Sequence, residues 1–247
     1  MENSAIKFSQ FRLTKITDIK SNSIAETLTC IEKNYIDNID IYEMMSYSSS
    51  FKKRKISNKL SNLQAYTTNF NKFSYWCRTQ IVTATRQKDR DKIYNKLVKV
   101  MKICKSLNNF SSMFAIIYAL NSVSVTSFDW PKNSHETLRT FTNLASTSES
   151  FKIYRKLVCE AKEAPFIPFI AVFLHELEFI NQSEKRFCNP SIDVNFLRHW
   201  KQYNALSDLI IAQKRHYVNL KPNPRFIGCL NNYANILNDS ELWEMAN

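Results

Sequence analysis

Glycine is almost missing from this chain: Gly228 is the single one in 247 residues. Only glycine reaches positive φ cheaply, so tight strand turns are hard to build without it. A many-stranded β-fold or a doubly wound sheet is excluded on the same ground. The count also removes the P-loop and the dinucleotide-binding fingerprint, so the chain is not expected to hold a nucleotide with a glycine loop of its own. Long hydrophobic runs are missing too. The longest, Ala164 to Leu174, is eleven residues and contains Pro165 and Pro168, too short to span a bilayer. The first twenty residues mix polar and apolar types without the continuous apolar segment of a signal peptide. Metal-ligand spacing is absent as well. Six cysteines stand at 30, 77, 104, 159, 188 and 229, with no C-x-x-C pair, and the four histidines are not at ligand spacing from them. These read as thiols in a reducing compartment, used as small core hydrophobes. His175-Glu176-Leu177-Glu178-Phe179 begins like a zincin motif but lacks the second histidine. No metal and no cofactor is expected.

What is present is apolar residues, aromatics and positive charge. Hydrophobic residues make up 44% and aromatics 13%, enough for one large core and not for a disordered chain. The formal net charge of +12 raises the prior for nucleic acid, an anionic membrane or an acidic protein partner. One cluster is dense, Lys52-Lys53-Arg54-Lys55, and reads as a solvated loop; the remaining cations are scattered along helix faces. A nucleic-acid binder would gather them on one continuous face, and nucleic acid is not the expected partner. Weak contact with an anionic membrane is the most the charge asks for. The richness in Asn, Lys, Ile and Ser points to an AT-rich genome, a protist's or that of an intracellular bacterium injecting an effector.

Periodicity predicts an all-α fold. From Arg90, the residues Ile93, Leu97, Val100, Met101, Cys104 and Leu107 recur in steps of three and four, with Lys92, Lys96, Lys99 and Lys102 on the other side. After Asn108-Asn109, the run Phe110 to Leu120 is apolar almost all round, the pattern of a buried central helix. Further helices are expected at about 24–38, 61–86, 134–162, 169–183, 195–218 and 225–246, with an exposed connection from Ser46 to Asn62. Residues 1–23 read as an N-terminal extension and 24–247 as one domain.

Composition ends there, and ordered segments carry the rest. Ile24-Ala25-Glu26-Thr27-Leu28-Thr29 followed by Glu32, Phe70-Asn71 with Ser74 and Trp76, and Leu107-Asn108-Asn109-Phe110 with Ala115-Ile116 and Ala119-Leu120-Asn121-Ser122 come first. Pro165-Phe166-Ile167-Pro168-Phe169 leading to Phe173-Leu174, then Asn189-Pro190 and Asn195-Phe196, complete the series. In this order and spacing the chain resembles the catalytic domain of Ras guanine-nucleotide exchange factors, the RasGEF family, over about 24 to 245. The resemblance implies a single helical bundle with a protruding two-helix hairpin, about 169 to 211, that opens the nucleotide site of a small GTPase. It implies no covalent chemistry, no cofactor, a monomer, and a cytosolic setting, the host's cytosol in the case of an injected effector.

The resemblance also implies site residues. Phe169, Leu174, Glu178 and Gln182 match the hairpin's working positions, with Lys201 on its second helix. Phe51, Gln64, Thr68, Asn71, Asn121 and Phe151 match the surface on which the GTPase's second switch docks. Several positions depart from the pattern: the usual small or apolar magnesium-facing residue is Glu178, the phosphate-mimicking glutamate is Gln182, a docking arginine is Thr68 and a docking tryptophan is Phe51. Trp76 is read as core. The run Leu177-Glu178-Phe179-Ile180 is closer to Rap- and Ral-directed members.

Overall fold

The computed structural model describes residues 15–50, 61–184, 194–231 and 236–246. Among them it has twelve α-helices, a 3-10 turn at Ile16–Asp18 and no β-strand. The bundle is built from α1 (Ser21–Asn38), α3 (Asn62–Val82), α4 (Gln87–Ser106) and α5 (Phe110–Leu120). At its centre α5 packs against both α3 and α4, and every residue of it except Tyr118 is buried. A helix apolar on all sides can lie nowhere else.

Two asparagines set where α5 begins. Asn108 takes the left-handed conformation at φ 53, which a short polar side chain tolerates, and the chain turns out of α4 there. Asn109 is the N-cap, its Oδ1 accepting from the Ser112 N–H at 3.0 Å. Such a cap contributes about 1 kcal/mol. Along α4, Leu97, Val100, Met101 and Cys104 are buried as their spacing predicts. Lys92, Lys99 and Lys102 are exposed, while Lys96 donates to the Ile19 carbonyl at 2.6 Å. Ile16 and Ile19 are themselves buried in this core, so the described part of the expected extension is packed. Trp76 is core, stacked on Phe73.

The structure corrects several expected boundaries. The single helix expected at 134–162 is two, α7 (Lys132–Leu144) and α8 (Ser148–Ala161). The first turn of α8 holds Glu149, Ser150 and Phe151 at φ 49, 54 and 61, left-handed without any glycine. The run 225–246 is likewise divided into α11 (Pro224–Asn231) and α12 (Asp239–Ala246). Pro224 opens α11, where the missing N–H costs nothing. The connection expected from Ser46 begins inside a helix, α2 (Ile41–Ser50), which packs against α9 (Ile170–Ser183). Lys52-Lys53-Arg54-Lys55 lies outside the described residues. A four-residue helix, α6 (Val123–Thr126), follows α5.

The hairpin is α9 (Ile170–Ser183) and α10 (Phe196–Lys214). The end of α9 meets the start of α10, through Asn181 and Gln202 at 2.9 Å, so the two run antiparallel. A second apolar cluster seats their inner sides on the bundle: Ile170, Phe173, Leu177, Ile180, Leu206 and Leu209 pack with residues of α1, α2 and α3. On the outer side of α10, Phe196, Trp200 and Tyr203 face solvent.

Among the described residues no helix is long and apolar enough to cross a membrane, and no grouping of side chains suits a metal ion. Cys77 and Cys104 are fully buried free thiols, pushed up from their ordinary pKa by desolvation, and so are unreactive packing groups. Cys188 lies outside the described residues.

Candidate GTPase-docking site

The hairpin rests on a short extended segment that two prolines keep out of any helix. The Ile167 N–H donates to the Asn108 carbonyl at 2.9 Å, and the Phe110 N–H donates to the Ile167 carbonyl at 3.0 Å. Asn108 Nδ2 reaches the Pro165 carbonyl at 3.3 Å. The same asparagine turn that starts the central helix therefore also holds the approach to the hairpin.

Phe169 is the N-cap of α9 and is buried. Its ring stacks on Phe114 with centroids 4.5 Å apart, and meets Phe70 at 5.4 Å and Tyr118 at 5.9 Å. Its N–H donates to the Tyr154 hydroxyl at 2.8 Å, and burial pushes that phenol above its ordinary pKa. Offset and edge-on ring pairs add about 0.5–1.5 kcal/mol each beyond the area they bury. One aromatic cluster thus joins α3, α5, α8 and the start of α9.

Leu174, Glu178 and Gln182 stand four residues apart and so share one line along α9. Leu174 is half-buried against the second cluster, Glu178 is half-buried, and Gln182 is exposed. Gln182 Nε2 donates to Glu178 Oε1 at 2.6 Å, while Oε2 of Glu178 has no hydrogen-bond partner. Lys201 forms an ion pair with Glu184 across the mouth of the hairpin, which holds the Glu184 carboxyl below the usual range. Asn195 caps α10, accepting from the Arg198 N–H at 3.1 Å.

On α3, Gln64, Thr68 and Asn71 are all exposed, at spacings of four and three that put them on one face. Asn121 is exposed at the C-cap of α5, its Nδ2 donating to the Ile117 carbonyl and to Thr142 Oγ1, both at 2.9 Å. Tyr118, one turn earlier, links this end of α5 to Phe70 and Phe169. Phe151 is buried instead, its ring edge-on to His175 of α9 at 6.1 Å. Phe51 lies outside the described residues. Of the polar groups beneath this surface, the sequence marked only Glu32, which follows the Ile24–Thr29 segment. Tyr66 of α3, Ser111 of α5 and Glu32 of α1 form a buried chain, and no local pattern marks the first two.

Known proteins are similar to most of this chain. The family model described as the RasGEF domain matches residues 23–203, more than half of the chain. The chain is 31% identical over 231 residues to Guanine nucleotide-releasing factor 2 of Drosophila melanogaster, covering 94% of this chain and 14% of that protein. It is 32% identical over 229 residues to Rap guanine nucleotide exchange factor 1 of Homo sapiens, covering 93% and 20%. To Ras guanine nucleotide exchange factor A of Dictyostelium discoideum it is 32% identical over 177 residues, covering 70% and 29%. The chain therefore spans less than a third of the length of each of these relatives.

Proposed function

Because the chain belongs to the RasGEF domain family, we propose that it is a guanine-nucleotide exchange factor for a Ras-subfamily GTPase of Ras, Rap or Ral type. The α9–α10 hairpin would displace the GTPase's switch regions so that GDP leaves. The name of the human relative makes Rap the first GTPase to try.

An exchange factor acts by linkage. It binds the nucleotide-free GTPase more tightly than the loaded one, and by the same factor it weakens the nucleotide. No bond is made or broken, so the chain needs no nucleophile, general base or metal. It needs a broad docking face and a stiff wedge. Gln64, Thr68, Asn71 and Asn121 are suited to the first, and the line Leu174–Glu178–Gln182 to the second. The observation that carries this reading is the base of the hairpin, where the backbone bonds of Ile167 and the ring cluster around Phe169 fix α9 to the bundle. A wedge that gave way under load would transmit nothing to its partner.

A second reading is a RasGEF-like scaffold that binds a GTPase without releasing its nucleotide. One observation favours it: Gln182 spends its amide N–H on Glu178, and an uncharged amide at that position carries no negative charge with which to imitate a phosphate. Release of a fluorescent nucleotide from a panel of Ras-, Rap-, Ral-, Rab- and Rho-type GTPases separates the two. Acceleration confined to Ras-subfamily members supports exchange. Equal affinity for free and loaded GTPase, with no acceleration, leaves the scaffold. The complex with nucleotide-free GTPase should be a one-to-one assembly with a cytosolic partner and bury well above about 1,200 Å².

A further inference from the structure

Part of the positive charge is gathered on one face of the bundle. Lys88, Lys92, Lys96, Lys99 and Lys102 follow one another along α4 at spacings of four, four, three and three, so all five share one stripe of the helix. The segment that leads into α1 runs beside that stripe. Lys15 to Asp18 share a depression with Arg86, Asp89 and Lys92. The Ile19 carbonyl then accepts from Lys96 at 2.6 Å, and Lys20 shares a second depression with Lys99 and Lys102. Two elements thus add their cations to one surface. α1 begins there with no side-chain cap and no acid in its first turn, so its positive end adds to the same field.

The acids on this face do not cancel the charge. Asp89 pairs with Arg86 and Lys92, and Asp18 is the other acid that lines the first depression. Lys15, Lys20, Lys99 and Lys102 are exposed and have no ion pair among the described residues. None of these residues belongs to the candidate GTPase-docking surface. Like charges gathered on one face cost the fold their mutual repulsion, which a negatively charged partner relieves.

We infer that this face is an interaction surface for an anionic lipid bilayer. The inference goes beyond the exchange reading and does not depend on it. The kind of cation selects lipid over other anions. A protein partner asks for a desolvated centre, where aromatics, Met and Arg are enriched and Lys is depleted. Here the unpaired cations are all lysines, and the apolar residues between them, Ile93 and Ile103, are half-buried. Single-stranded nucleic acid asks for aromatic rings on which its bases stack, and none line either depression. An anionic bilayer asks for neither. It attracts hydrated point charges spread over an area, which lysine supplies, and about four to eight of them make a lipid-binding cluster.

Flotation of the intact chain with vesicles tests this. One set of vesicles is phosphatidylcholine alone, and the other carries about 30% phosphatidylserine to give a negative surface. The wild type should float with the anionic set at about 0.1 M salt and be released at about 0.5 M, because screening shortens the reach of each charge. Combining Lys20→Glu, Lys99→Glu and Lys102→Glu should weaken that binding by about a hundredfold. The same charge change on α8 and at the end of α10, through Lys152→Glu, Lys156→Glu and Lys214→Glu, should cost about threefold at most. Equal losses in the two triple variants would mean that net charge alone is read, and would overturn the inference. So would a wild type that ignores anionic vesicles or floats as well with neutral ones. Duplex DNA bound more tightly than the anionic vesicles at the same salt would assign the face to nucleic acid instead. If the charge-reversed face prevents folding, Lys20→Gln, Lys99→Gln and Lys102→Gln together remove the charge without adding acid and should still lose the vesicles.

Discussion

At its base the hairpin is held by stacked rings and backbone hydrogen bonds, whereas at its far end it is held by polar side chains. Phe169 is buried among Phe114, Phe70 and Tyr118. Along the same helix, Leu174, Leu177 and Ile180 continue the apolar packing on the second cluster. By Asn181 and Glu184 the partners are Arg198, Gln202 and Lys201. Across α10, Phe196, Trp200 and Tyr203 stack on one another in the open, with centroids 6.3 and 6.0 Å apart. The same kind of side chain therefore does opposite work in the two places. Inside the base, rings exclude water and fix an angle; outside, they leave apolar area uncovered. Rigidity and availability have been assigned to different ends of one element.

The comparison can be broken most directly by truncating one ring at each end. Phe169→Ala should destabilise the fold by about 3–5 kcal/mol, the usual cost of emptying a buried aromatic site. Trp200→Ala should stay within about 0.5 kcal/mol. Urea unfolding of both variants measures the contrast, and equal losses would mean that the far end is core.

Next in size is the pH dependence carried by Glu32. Its carboxyl is raised in the folded state, so its contribution is fully present below the ordinary glutamate range and is lost as pH rises through about 7. The shift from 4.5 to about 7 corresponds to something on the order of 3 kcal/mol. Thermal stability should fall across that interval, and Glu32→Gln should flatten the fall. Melting temperatures measured from about pH 5 to about pH 8 check this, and a wild type that ignores pH over that range would remove Glu32 as the cause.

Docking residues come third. Asn71→Ala should cut exchange by an amount equivalent to about 2 kcal/mol, the level of an interface anchor, with the melting temperature nearly unchanged. Phe51→Ala and Asn121→Ala carry the same expectation. A melting point that drops along with activity would return the residue to the core. The smallest effect belongs to Gln182→Glu, which breaks the bond to Glu178 and sets two carboxylates one turn apart. That repulsion is worth only about 0.2–0.5 kcal/mol. If the wedge acts by shape, release rates should move far less than the tenfold that about 1.4 kcal/mol would bring; a clear tenfold gain would put charge at the centre of the mechanism.

The central helix and the hairpin were legible because their information is local. Phe110 to Leu120 is apolar on all sides, and Asn108-Asn109 announces both the turn and the cap. The break between α7 and α8 was not legible. Its left-handed residues are Glu149, Ser150 and Phe151, types that carry no signal for positive φ, while Gly228 sits in α11 without needing it. Scarcity of glycine correctly pointed away from strands, yet the chain still makes left-handed turns, using Asn108 and Asn219 and, at greater cost, three ordinary residues. Of the candidate docking surface, the α3 residues were named by the family resemblance, and the structure puts them on one exposed face. Glu32 stood in a quoted segment, but its bonding to Ser111 and Tyr66 was not legible, because the three come from helices that meet only in the folded core.

The polar clasp at the far end of the hairpin has one more consequence. Asn181 Oδ1 accepts from both Gln202 and Arg198, and Arg198 also reaches the Glu184 carbonyl at 2.9 Å. Apolar helix faces tolerate sliding, since one leucine in a groove is much like the next. A side chain gripping two named donors tolerates none. If α10 shifted along α9 by one turn, about 5.4 Å, Gln202 and Arg198 would both lose their acceptor at once. The clasp therefore acts as an index mark: it adds little to the strength with which the two helices hold together, and it selects a single alignment for them to hold in.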